Sequence, residues 1–90
     1  MGNIFNKQSS CHTCIPYTKD TFNVYYNNKK VEQATAMTFE DLGNCYGKDV
    51  FDVFYKGIII PNADAVTFMV DSDGLHAYDA LNTYYMGKKI

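Results

Sequence analysis

DTFNVYYNNKKV, running from Asp20 to Val31, returns as DVFDVFYKGIII from Asp49 to Ile60 and as DALNTYYMGKKI from Asp79 to Ile90. The copies begin 29 and 30 residues apart. Each sets Asn or Asp three residues after its first Asp. Val or Thr, two aromatics, a two-residue break and a short run ending in Val or Ile then follow. Self-similarity of this length marks a repeated supersecondary unit, and it outranks the propensity of any single residue.

The likeness extends outward from the core stretch. Tyr17-x-Lys19-Asp20 matches Tyr46-x-Lys48-Asp49 and, less closely, His76-x-Tyr78-Asp79. Between copies, Ala34, Ala36, Thr38 and Phe39 return as Ala63, Ala65, Thr67 and Phe68. These matches divide the chain into an N-terminal arm, residues 1–16, and a β-repeat domain, residues 17–90, with units 17–45, 46–75 and 76–90.

Each unit reads as β. The breaks Asn27-Asn28, Lys56-Gly57 and Met86-Gly87 use residues that tolerate the positive φ of tight hairpin turns. A two-residue loop sets the register, so Tyr26 faces Lys29, Tyr25 faces Lys30 and Val24 faces Val31. Phe54 then faces Ile59, and Val53 faces Ile60. Alternation puts Val24, Tyr26, Lys29 and Val31 on one side of the sheet, with Tyr25 and Lys30 on the other. The Asp-x-x-Asn/Asp steps are turn chemistry, because short polar side chains accept backbone N–H bonds where the chain reverses. Thr38 to Leu42 and Thr67 to Asp71 read as lead strands, and the rest of 32–42 as a turn or a single helical turn. The expected fold is all-β, a tandem array of about three hairpin or meander units. Ile58-Ile59-Ile60, where the neighbours carry Lys-Lys-Val and Lys-Lys-Ile, makes the middle unit the one buried on both sides.

These residues carry a family likeness. KDTFNVYYNNKKV with ATAMTFEDL, KDVFDVFYKGIII with ADAVTFMVD, and YDALNTYYMGKKI resemble the DKNYY repeat family over residues 17–90. Asp52, Thr83, Tyr78 and Asn28 depart from the pattern. The resemblance implies β-rich repeats, mostly bacterial and often associated with the cell envelope. It brings no catalytic residues.

Composition bounds the function. Ninety residues make one small domain with a marginal core, which eight Tyr and six Phe reinforce. A net charge of −2 without any basic run argues against nucleic acid as partner. No apolar run reaches the roughly 18 residues of a membrane span. The N-terminal stretch lacks the apolar segment of a secretory signal. Cytoplasm or a virion-like assembly is therefore the expected location, with the cell envelope as the alternative. Asn6 stands where a myristoylation signal wants Ser or Thr.

Candidate chemistry is sparse. Cys11, His12 and Cys14 form the one chemical-looking cluster. It is open to three readings: reduced or structural thiols, a disulfide, or a metal site. Zinc would need two more ligands, for which the chain offers Cys45 and His76, far along the sequence. Cys45 itself reads as a small buried apolar residue. A Cys45–His76 catalytic pair is disfavoured because alternation sends the two to opposite faces. Asp71-Ser72-Asp73-Gly74 echoes a calcium loop but lacks the distal Glu, so a plain turn is expected. The three Ser lack a nucleophile elbow.

No catalytic residue and no cofactor are expected. The leading expectation is a non-enzymatic protein-interaction or assembly module, self-associating through open sheet edges as a homo-oligomer or with a partner protein. One alternative is a glycan-binding face made by Tyr25, Phe54 and Tyr84. Another is a small redox or metal-binding protein using the CHTC segment.

Overall fold

The computed structural model describes residues 14–90. The fold is all-β, with eleven strands in three antiparallel sheets among the described residues. Sheet one has the order β1 (Thr18–Lys19), β2 (Val24–Tyr26), β3 (Lys29–Lys30). Sheet two runs β4 (Glu40–Gly43), β5 (Tyr46–Lys48), β6 (Val53–Tyr55), β7 (Ile58–Ile59). Sheet three repeats this as β8 (Met69–Val70), β9 (His76–Tyr78), β10 (Thr83–Tyr85), β11 (Lys88–Lys89). A 3-10 turn, Ala36–Thr38, lies in the stretch expected to hold one helical turn.

Turn chemistry sets the register. Asn27 and Asn28 have φ of 53° and 63°, Lys56 and Gly57 51° and 79°, Met86 and Gly87 49° and 83°. Two positive φ values in succession match the right-handed twist of the flanking strands, which makes these the favoured hairpin turns. The expected partners follow: Tyr25 opposite Lys30, Phe54 opposite Ile59, and Tyr84 opposite Lys89. At the other end of each sheet an Asp organises the reversal. Asp20 Oδ1 accepts the N–H groups of Phe22 and Asn23, Asp49 Oδ1 those of Phe51 and Asp52, and Asp79 Oδ1 those of Leu81 and Asn82. A four-atom side chain that satisfies two turn donors is why Asp stands here in all three copies.

The sheets stack face to face, and the lead strand in each sequence unit belongs to the next unit's sheet. Val24, Val31 and Phe39 are buried against Phe54, with Ile59 packed alongside. Val53, Ile60 and Phe68 are buried against Tyr84. Sheet two is thus covered on both faces, Phe54 toward sheet one and Val53 toward sheet three. This is why its strands are the most apolar.

Candidate interaction surface

The repeat signature encodes the joints between sheets. Tyr17 donates its hydroxyl to the Cys45 carbonyl (2.9 Å) and accepts the Gly57 N–H (3.0 Å). Tyr46 does the same one unit later, with the Leu75 carbonyl and the Gly87 N–H, both at 3.0 Å. Each phenol therefore ties its sheet to the lead-strand turn and the hairpin turn of the next. Lys19 Nζ donates to the Ala36 and Phe39 carbonyls, and Lys48 Nζ to that of Ala65, which pins the connecting loops. Asp49 Oδ2 accepts the Thr35 N–H at 2.7 Å and Asp79 Oδ2 the Asp64 N–H at 2.8 Å.

The departures from the pattern also have local causes. His76 takes the Tyr position in sheet three, where its ring lies 4.8 Å from Tyr85 and its Nδ1 meets Asp73. Backbone N–H bonds from His76, helped by its side chain, hold the Asp73 carboxyl well below its usual pKa. The Tyr25 and Tyr84 hydroxyls donate to Asp20 and Asp79, with Asn23 and Asn82 close beside them. Asp52 sits two residues before Phe54, which has no hydroxyl to serve. Asp71-Ser72-Asp73-Gly74 forms a turn whose carboxylates accept the N–H groups of Ser72, Leu75 and His76.

Burial of these tyrosines has a consequence for pH. Desolvation raises the pKa of Tyr17, Tyr46, Tyr55 and Tyr84. The unfolded chain loses its phenolic protons first as pH rises through about 10. Above that point it binds fewer protons than the folded chain, so stability must fall with rising pH. A urea midpoint lower at pH 11 than at pH 9, with part of the phenolate absorbance withheld until the chain unfolds, is the expected result. Equal midpoints would mean that the phenols stay hydrated.

The three residues of the expected aromatic face do not share a surface. Tyr25 is part-exposed at the outer face of sheet one, where its hydroxyl donates to Asp20. Phe54 and Tyr84 hold equivalent positions in later sheets, and each is buried by the sheet before it. A sugar cannot stack on Phe54 or Tyr84. The ladder read from alternation within one sheet is an interior feature of the stack.

Of the cysteine cluster, Cys11 and His12 lie outside the described residues. Cys14 is joined to Cys45 by a disulfide across 31 residues. Cys45 is buried as expected, but as half of a cystine. Its place in a positive-φ turn, 55° at Asn44 and 77° at Cys45, brings it to the arm. This bond also takes Cys45 out of any pairing with His76.

Sequence reading missed an apolar row. The residue two after each turn Asp is large and apolar: Phe22, Phe51 and Leu81. The loops between them offer Met37 and Val66. All five keep 71–88 % of their surface exposed. They lie on one continuous edge of alternating turns and loops. Lys19 joins the first turn to the loop at Ala36, and Asp49 and Thr38 join that loop to the second turn. Lys48 joins the second turn to the loop at Ala65. Asp79 and Thr67 join that loop to the third turn. A shallow cleft of about 130 Å³ between Val50 and Val66 lies on the same edge. The signal in the sequence was the spacing 22, 37, 51, 66, 81, apolar residues recurring every 14 or 15 positions among turn formers.

No helix among the described residues is long and apolar enough to cross a membrane. No curated protein and no solved structure is significantly similar to the chain. A family model does match it, over residues 2–90. The match spans the whole repeat region, and the chain is a member of the DKNYY family.

Proposed function

We propose that the chain is a non-enzymatic assembly module that associates with protein through the Asp-turn edge of its sheet stack. The observation that carries this reading is the row Phe22, Met37, Phe51, Val66 and Leu81. Isolated exposed apolar residues are ordinary, but five in repeat register along one connected edge mark an interaction surface. The signature Tyr, Lys and Asp side chains, the natural candidates for chemistry, are already engaged in holding sheet to sheet.

The sheet edges of the first and third sheets and the stack ends offer less support for association than the turn edge does. Lys29–Lys30 and Lys88–Lys89 form the hairpin edge strands of sheets one and three, where lysine guards against strand addition, whereas the matching edge of sheet two, Ile58–Ile59, is apolar and unguarded. The outer face of sheet three exposes Tyr85 and Ile90, whose counterparts Tyr55 and Ile60 are covered by the next sheet. The outer face of sheet one is a poor cover for it. Asn28 stands where Gly57 and Gly87 admit a tyrosine ring, and Thr18 where Gly47 and Ala77 admit close packing. Head-to-tail growth of the stack is disfavoured on both counts.

The Cys14–Cys45 bond favours the envelope alternative for location, since disulfides persist in oxidising compartments. Solution mass by light scattering after size exclusion, with and without reductant, tests the assembly reading. The expected mass exceeds one chain in both conditions. A single-chain mass in both would overturn it.

A further inference from the structure

Beyond the turn edge, we infer a second binding site on the β7 edge of sheet two, fitted to an extended acidic segment of a partner protein that adds as a strand. Cover by two neighbouring sheets accounts for Ile59 and Ile60. It does not account for Ile58, which keeps 71 % of its surface exposed where the neighbouring units carry Lys29 and Lys88. The backbone beside it is open as well. Ile60 donates its N–H to the Val53 carbonyl at 2.8 Å, so alternation turns the N–H and C=O of Ile59 away from β6. Neither has a partner among the described residues. An unpaired strand backbone beside an exposed isoleucine is a template for strand addition.

Charge decides what kind of strand fits. Cross-strand partners share a face. Lys29 is opposite Tyr26, whose side chain lies against Gly57 of sheet two, and Lys89 is opposite Tyr84, which is buried against Val53 and Ile60 of sheet two. The two lysines therefore stand on either side of the β7 edge, one from each neighbouring sheet, and Lys56 stands in its turn. Two clefts of about 320 and 260 Å³ run along this edge, lined by Lys29, Lys30 and Lys56 with Val31 and Ile58. Among the described residues, only Lys30 of this group reaches a carboxylate, that of Glu32 at 4.0 Å. Side chains of an added strand alternate between its faces. Acidic residues at adjacent positions would thus meet Lys29 on one face and Lys89 on the other. A second copy of β7 would instead crowd the lysines of both chains together. An anionic lipid surface would answer the lysines without matching the spaced N–H and C=O of Ile59.

Fluorescence anisotropy on the full chain, with the labelled peptide Val-Glu-Glu-Val-Glu-Val as probe, tests this site. Saturable binding is expected, with none for the peptide carrying Lys in place of Glu. Lys29→Glu combined with Lys89→Glu should weaken it roughly 10-fold or more. Ile58→Lys is the deciding variant, because it restores the guarded edge of sheets one and three while adding a positive charge. Strand addition over an apolar contact predicts roughly 10-fold weaker binding. Charge attraction alone predicts tighter binding, and that result would overturn the site. Ile58 is exposed, so the variant should keep its thermal midpoint. A peptide N-methylated at alternate residues should also bind roughly 10-fold more weakly, and equal binding would exclude strand addition. Absence of saturable binding up to about 1 mM peptide would overturn the site too. If the chain then sediments with vesicles containing phosphatidylglycerol, the edge is a lipid contact instead. None of these outcomes involves the turn edge, so solution mass decides the assembly reading separately.

Discussion

Reduction of the Cys14–Cys45 bond is expected to lower the folding free energy by about 3.5 kcal/mol, the loop-closure entropy of 31 intervening steps. Against a total of about 5–15 kcal/mol for a domain of this kind, the loss is large. It corresponds to a fall in Tm of roughly 15–25 °C at this chain length. The bond also acts where the first joint is made. Cys14 lies three residues before Tyr17, whose backbone N–H donates to Asp41 Oδ2 at 3.1 Å and whose hydroxyl donates to the carbonyl of Cys45 itself. Cutting the tether therefore removes a chain constraint and loosens the phenol that locks sheet one onto sheet two. Thermal unfolding with and without reductant, and of Cys14→Ser, should give the same large shift. A shift of a few degrees would mean that the Tyr17 joint holds the arm without help.

Much of the architecture is legible in the letters because a two-residue turn leaves little freedom. Once Asn27-Asn28, Lys56-Gly57 and Met86-Gly87 are identified as tight turns, every cross-strand partner follows, and the structure has the same pairs. The faces were harder to assign. Alternation says that Tyr25, Phe54 and Tyr84 share one face of their sheets, but it does not say what lies over that face. In a stack each sheet is covered by its neighbours, so equivalent residues differ in exposure by position alone: Tyr25 has no described sheet above it, whereas Phe54 and Tyr84 do. The disulfide was illegible for a different reason. Cys14 sits in the arm, outside the repeat, and its partner turn is placed beside it only by the stacking of sheet two. The apolar row was written in the sequence, at the second residue after each Asp. A turn is read for the residues that shape it, and the side chains of Phe22, Phe51 and Leu81 shape nothing.

Gly87→Ala is expected to cost about 3 kcal/mol, the sum of two terms that both follow from the stack. At φ of +83° any L side chain carries a backbone penalty of about 1–2 kcal/mol. A Cβ at this position would also overlap the Tyr55 ring of the preceding sheet, and such overpacking adds about 1–3 kcal/mol. Gly57 shares the positive φ, but its Cβ would meet Tyr26 less severely, 3.0 Å from the Tyr26 Cβ and 3.5 Å from Cγ. Gly57→Ala should therefore cost less than Gly87→Ala. Asn28, at φ of 63° with no described sheet beneath it, should accept Gly with a change below about 1 kcal/mol. Urea midpoints at constant m would rank the three. The tyrosine term can be isolated, because in a Tyr55→Ala background the clash is gone and Gly87→Ala should cost only the backbone penalty. If the cost is unchanged there, the glycine serves the hairpin turn alone, and the fit of each hairpin turn over the second tyrosine of the sheet before it does not fix the stacking order. If it falls by half or more, the Tyr-Tyr and Gly positions of the repeat form one coupled device, and the pairing of a tyrosine in one unit with a glycine in the next is what makes the array stack.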